Sequence, residues 1–489
     1  MHNLSPPAVQ RPWVILATCC LSLLMVSMDV TIVNVALPAI RRNLHASVAG
    51  LQWSIDGYTV VVASFLLLAG GTADRLGRRR TFQAGLALFS LGSLLCSLAP
   101  TTAALVVFRM IQALGGAMLN PVAMSIIANT FTEAKERARA IGIWGAVFGV
   151  SMAIGPLVGG VLTQSVGWRS IFWINVPIGV AAFTLTARFI PESLGTTRRR
   201  FDLVGQALVV VALASLISGV IDGRRSGWGS PEIVGCFAVA FVCTALLVAY
   251  EARRSDPLID MRFFRSLPFA TATIIAVLAF ASFSSFLFLN SLYLQDTRGL
   301  KASVAGLCTL PIALMIVVCS PLSGRLVGVG RARLALVTAG LSMTTGAVLL
   351  TSLRADMPLG RLVVAYAVFG VGLGMVNAPI TNAAVSGMPR AQAGIAAAVA
   401  STSRQVGASL GVALAGSIAG EAVSPAFASS THAVWWLLGG LGLAVVALGL
   451  AATGERARAS VKQVAFLLDS REDAPLALSP TSDRTTVLQ

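Results

Sequence analysis

Asp29, Asp56 and Arg109 stand in stretches built almost wholly of apolar residues. A charged group inside a bilayer costs several kcal/mol, so each is a candidate for function before any fold is known. Spacing sharpens the case. Thr18, Ser22, Met25 and Asp29 recur at helical intervals, as do Arg109, Gln112, Gly116 and Asn120, so each set forms one polar stripe on a helix. Such a stripe must face protein or a water-filled cavity, because lipid offers it no partner. At 1.5 Å per residue, Asp29 lies about 12 Å, and Asp56 and Arg109 about 8 Å, below the outer ends of their stretches. That places all three in the outer half of the first bundle. Desolvation favours the neutral form of a carboxyl, whereas a neighbouring cation favours the charged form. A carboxyl held between these pulls can exchange a proton near neutral pH, and a cation binding beside it would expel that proton. Asp29 is the first candidate for such a proton site and Asp56 the second. The plainer alternatives are a structural hydrogen bond for Asp29 and a helix-end position for Asp56, close to Trp53 and Tyr58. Arg404, in Arg404-Gln405-Val406-Gly407, is a fourth intramembrane charge. Facing the cavity it would balance the acids; packed structurally it would leave the cavity negative, and both remain open.

Pockets for small amphipathic molecules are apolar and aromatic with a few polar anchors. Trp53, Tyr58, Trp144, Phe148, Phe286, Asn290, Tyr293 and Asn377 are the residues that would line one.

The elements that must position these side chains are membrane helices. The 489 residues are 56 % hydrophobic and only 11 % charged, and the mean hydropathy is +0.81. Soluble domains carry about 25 % charged residues. That gap excludes a soluble enzyme, a disordered chain and a secreted disulfide scaffold. Fourteen apolar runs, from 13–37 to 433–451, are long enough to cross the hydrocarbon core. The first is too long for a cleaved signal peptide and contains Asp29. Lys and Arg on one side of the runs outnumber those on the other by more than two to one, which puts both termini in the cytoplasm. The net charge of +16 follows from this bias and gives no reason to expect nucleic acid. The cysteines (19, 20, 96, 236, 243, 308 and 319) lie inside apolar runs without metal-ligand spacing. His2, His45 and His432 are scattered, and there is no Gly-x-x-x-x-Gly-Lys-Ser/Thr loop for ATP. No metal, cofactor or catalytic cluster is expected.

The chain repeats itself. Leu105–Asn120 in run 4 is echoed by Leu362–Asn377 in run 12 at an offset of 257, and Gly70 by Gly324 at 254. Two six-helix halves with two extra helices between them explain both offsets, and such halves rock about a central site in secondary transporters. The expected division is an N-terminal bundle over 1–200, an insertion over 201–255, a C-terminal bundle over 256–453 and a polar cytoplasmic tail over 454–489.

The loop after run 2 reads Gly70-Gly71-Thr72-Ala73-Asp74-Arg75-Leu76-Gly77-Arg78-Arg79-Arg80. Asp74 falls at a helix C-terminus, where a negative charge needs a partner. Run 5 carries Gly142, Ser151, Gly155-Pro156 and Gly159-Gly160; Pro kinks a helix, and small residues let another helix approach. These motifs resemble those of the major facilitator superfamily. Asp29-Val30-Thr31-Ile32-Val33-Asn34, the Gly167–Gly179 segment and the fourteen runs resemble its fourteen-span drug:proton antiporter (DHA2) branch. The resemblance covers nearly the whole chain apart from the tail. It implies an all-α polytopic fold of fourteen transmembrane helices arranged 6+2+6. It also implies a conformational latch at Gly70, Asp74, Arg75, Gly77 and Arg78, an antiporter motif at Gly142, Gly155, Pro156, Gly159 and Gly160, and a proton-coupling role for Arg109. Three departures stand out: Ser151 and Ala113 replace the usual Gly, and the second-half copy of the latch, Gly324–Arg331, lacks the Asp.

The expected function is therefore proton-coupled efflux of amphipathic, cationic drugs across a bacterial inner membrane, by a monomer powered by the proton gradient. Its partners would be the drug, protons and the lipid bilayer. Export of one metabolite or self-made antibiotic is the alternative; an uptake symporter is disfavoured by the Gly-Pro motif, and a membrane enzyme by the scattered histidines.

Overall fold

Helix starts in this chain follow from short polar caps placed before long apolar runs. Ser47 and Thr101 cap the helices that start at Val48 and Thr102 by accepting from the backbone N–H of Gly50 (3.1 Å) and Ala104 (3.2 Å). Asp202 does the same for the helix that starts at Leu203 through Gly205 (2.8 Å), and Pro12, Pro231 and Pro268 stand in the first turns of three others. The computed structural model describes residues 11–194, 202–254, 257, 259–386, 388, 392–420 and 427–472. Of the segments weighed above, His2 and the tail from 473 onward lie outside the described residues.

The described helices are α1 (Pro12–Leu44), α2 (Val48–Leu76), α3 (Arg78–Ser97), α4 (Thr102–Thr130), α5 (Ala134–Ser165) and α6 (Ser170–Phe189). Then come α7 (Leu203–Ser226), α8 (Pro231–Arg253), α9 (Leu267–Thr297, its last turn a π-helix) and α10 (Ala302–Gly328). The series ends with α11 (Ala332–Leu350), α12 (Leu359–Val385), α13 (Ala393–Ala419), α14 (His432–Ala452) and α15 (Glu455–Glu472). Among the described residues, twelve helices are long and apolar enough to cross a membrane. The apolar runs at 82–99 and 392–416 are helical too, as α3 and α13, but fall outside those twelve.

Packing joins α1 to α4, α5 and α6, and α3 to α4 and α6, while α9 meets α12, α13 and α14, and α11 meets α12 and α14. The two sets touch along α2 with α13, α5 with α10, and α1 with α9. Helix α7 lies over the α2–α13 seam, where Gln206 Nε2 donates to Ser64 O (2.7 Å) and Arg224 Nη1 to Ile418 O (2.8 Å). Asp202 and Arg254 join the ends of α7 and α8 at 2.5 Å. Part of the polar tail is helical: α15 packs on α9, with Ser460 Oγ accepting from Leu267 N at 3.0 Å.

Candidate transport site

The polar stripes of α1 and α4 meet inside the first set of helices. Asp29 and Arg109 are 0 % and 2 % exposed. Arg109 Nη1 donates to Asp29 Oδ2 at 2.5 Å and to Gln112 Oε1 at 2.6 Å, and Nε donates to Ser54 O at 3.2 Å. The other carboxylate oxygen accepts from Gln112 Nε2 (2.9 Å) and Asn175 Nδ2 (3.0 Å). Both amides also donate to Ser93 Oγ. The guanidinium lies over the Tyr58 ring, 4.2 Å from its centroid. The Asp29 carboxylate thus has its charge matched and both oxygens hydrogen-bonded, as a buried ion pair requires.

Asp56, the second candidate, lies apart from this cluster. It is fully buried and lies one turn beyond Gln52, on the same face of α2. Gln52 Nε2 reaches across to the Val412 and Ala413 carbonyls of α13, so that face is the seam between the two sets. Thr59 Oγ1 is 3.5 Å from Asp56 Oδ1, and Ser409 of α13 faces the carboxyl across the seam. No cation lies within ion-pair distance of it among the described residues.

One end of the molecule is sealed and the other open. At the sealed end Gly160 of α5 lies against Ala302 and Ser303, and Gly306 of α10 against Pro156, so tightly that a Cβ on either glycine would strike backbone. Ser303 Oγ donates to Gln164 Oε1 (2.5 Å), Gln295 Nε2 donates to Val35 O (2.8 Å), and Asp296 lies 3.6 Å from both Arg41 and Arg42. The opposite end shows the reverse: Gly142, Gly145 and Gly149 of α5 and Gly324 and Gly328 of α10 face open space. Between the seal and this opening lies a cavity of about 530 Å³ walled by α5, α9, α10 and α12.

The glycine motif of α5 therefore does two jobs. Gly155 and Gly159 seat α5 on Thr31 and Ile32 of α1, while Gly160 makes the seal and Gly142 borders the cavity. The loop after α2 is bound to its own side. Asp74 pairs with Arg78 at 3.1 Å, and the N-terminus of α3 is capped by Glu192, whose oxygens accept from Arg79 N (3.0 Å) and Arg80 N (3.3 Å). Gly77 turns there at φ +104°, with the Glu192 carboxylate where a side chain would go.

Of the eight residues expected in a pocket, Phe148 and Asn377 line the cavity. Tyr58 stacks on Arg109 instead. Phe286 is buried among Tyr366, Phe369 and Trp435, Asn290 accepts from Tyr366 OH, and Tyr293 donates to Arg354 O at 2.5 Å. Trp53 packs beside α7 and α13, and Trp144 against the first core. Aromatic type alone could not separate cavity walls from core. Sequence reading also missed Ser93, Asn175, Glu192, Gln295 and Asp296 as site partners. Asn175 was visible as an Asn in an apolar run; the others carried no local signal.

Helices enclosing a cavity between two sets of membrane spans define a multi-pass membrane transporter. The sequence pattern of the Major Facilitator Superfamily matches residues 19–412, and the chain belongs to that superfamily. It is 38 % identical over 398 residues to the multidrug resistance protein Stp of Mycobacterium tuberculosis, covering 81 % of this chain and 74 % of that one. It is 36 % identical to the tetracenomycin C resistance and export protein of Streptomyces glaucescens, covering 85 % and 78 %. In fold it is similar to the crystal structure of the human organic anion transporter MFSD10 (TETRAN), with TM-score 0.62, 18 % identity and coverage of 91 % and 100 %. A second similar fold is a peptide transporter POT in complex with sulfate, at TM-score 0.65, 15 % identity and coverage of 93 % and 95 %.

Proposed function

We propose that this protein exports amphipathic drugs or antibiotics by alternating access, in exchange for protons. The observation that carries the reading is the cavity, sealed at one end by α5 against α10 and open at the other. Relatives named for multidrug resistance and for antibiotic resistance and export support the same direction of transport. We read fourteen spans, as six, two and six, because all fourteen apolar runs coincide with helices, α7 lies over the seam, and each set packs mainly within itself. The Lys and Arg bias puts both termini in the cytoplasm. With that orientation the sealed end faces outward, and we read the arrangement as inward-open. In it the start of α3, beside the loop after α2, is tied to the end of α6, where Arg79 Nη2 donates to Ala187 O at 2.6 Å.

Asp56 is the carboxyl that takes the proton directly. The Asp29–Arg109 pair is linked to the seam through Ser54, the α2 residue that accepts from Arg109 two positions before Asp56. The membrane potential adds about 2.3 kcal/mol per charge per 100 mV to inward proton movement. The test is uptake of a dye panel (ethidium, rhodamine 6G and fluorescein) into energised inverted vesicles. At least one dye should accumulate, and a protonophore should release it. Vesicles that accumulate none above an empty-vector control would refute export; accumulation indifferent to the protonophore would refute proton coupling.

A further inference from the structure

The cavity wall contains no Asp, Glu, Lys or Arg among the described residues. Arg404, about halfway along α13, touches this wall. Its Nη1 is 3.4 Å from Oδ1 of Asn377, and its guanidinium lies 5.9 Å from the Phe280 ring centroid; both partners are cavity residues. No carboxylate lies within ion-pair distance of Arg404 among the described residues, in contrast to Arg109, which has Asp29 at 2.5 Å. A guanidinium has five N–H donors, and here one is engaged, in a long contact. Since Asn377 accepts from Arg404 through Oδ1, its Nδ2 is left as a further donor at the same point of the wall. The rest of the wall is apolar, with Phe148, Phe283 and Leu373 among its larger side chains. An unmatched cation beside an apolar chamber costs free energy until an anion meets it, and the planar guanidinium fits a carboxylate or phenolate with two parallel hydrogen bonds.

We infer that Arg404 and Asn377 form the polar end of the cargo site, and that the preferred cargo is an amphipathic organic anion, a carboxylate or phenolate on an apolar scaffold. This rests on the export reading above and deepens it, while replacing the cationic cargo expected from sequence. The chamber supplies no acidic group to attract a cation. A membrane potential negative inside also drives an anion outward, in the direction of export.

The test is equilibrium binding of fluorescein and of ethidium to the purified full-length protein, read by anisotropy, alongside vesicle uptake of both dyes. Wild type should bind fluorescein at least about tenfold more tightly than ethidium. Arg404→Gln should weaken fluorescein binding about tenfold or more, and Arg404→Lys only a few-fold. Asn377→Asp, which keeps the arginine but gives it a carboxylate, should weaken it as Arg404→Gln does. Ethidium preferred by wild type, or fluorescein binding unchanged in Arg404→Gln and Asn377→Asp, would overturn the anion site. Arg404-dependent fluorescein binding without uptake of either dye would uphold the site and sink export. Uptake with binding indifferent to Arg404 would do the opposite.

Discussion

Asp29→Asn should destabilise the protein more than its own lost contacts explain, because it strands Arg109. In the native state that guanidinium is 2 % exposed and meets Asp29 Oδ2 at 2.5 Å. After the substitution it keeps Gln112 Oε1, Ser54 O and the face of Tyr58, all neutral. Removing one member of a buried pair costs about 3–5 kcal/mol. At 1.36 kcal/mol per factor of ten this is roughly two to four orders of magnitude in the folding equilibrium. Arg109→Gln should cost a similar amount by leaving the carboxylate with two amides alone. The double variant Asp29→Asn/Arg109→Gln removes both charges and leaves an amide network of similar shape. Its cost should therefore fall short of the sum of the singles by at least about 2 kcal/mol. The assay is reversible denaturant unfolding in micelles, followed by tryptophan fluorescence for wild type and the three variants. Costs that add to within about 0.5 kcal/mol would refute the pairing.

Asp56→Asn should behave differently: with no cation left stranded, its unfolding free energy should shift by less than about 1 kcal/mol, while pH-driven dye accumulation in vesicles is lost. Full accumulation in that variant would return the proton to Asp29. Gly160→Leu should disrupt the seal against Ala302, and thiol labelling of a Ser303→Cys reporter should rise in the Leu background; unchanged labelling would mean that α5 and α10 do not seal there. Asp296→Asn frees Arg41 and Arg42 from partly exposed pairs worth about 0.2–1 kcal/mol each. The same labelling should then rise only a few-fold, and a hundredfold rise would show the pairs to be the main lock. Glu192→Ala uncaps α3 and should cost about 1 kcal/mol in the unfolding assay; no change would show that solvent caps those N–H groups equally well.

Much of the fold was legible because bilayer crossing imposes a length and an apolarity that a linear chain displays openly. The helical runs, the repeat at offset 257 and the glycine motif of α5 all follow from that constraint. The site was legible in part. Asp29 and Arg109 announced themselves as charges where charges are costly, and their stripes at helical spacing pointed inward, where they meet. The same logic grouped Asp56 with them, since depth along a helix can be counted but the direction of a face relative to other helices cannot. The aromatic residues illustrate this limit most plainly: Phe148 and Phe286 are equal as letters, yet one borders the cavity and the other lies within a core of four rings.

By itself, then, the sequence determined that the chain lives in a membrane, which residues carry charge into it, and which superfamily it resembles, because those properties depend on composition and on spacing within single helices. The tertiary structure alone decided which charges are matched. It paired Asp29 with Arg109, left Asp56 at the seam, and set Arg404 behind Asn377 with no carboxylate in ion-pair reach among the described residues. Those outcomes depend on the rotation and crossing of helices hundreds of residues apart, and no local pattern encodes them.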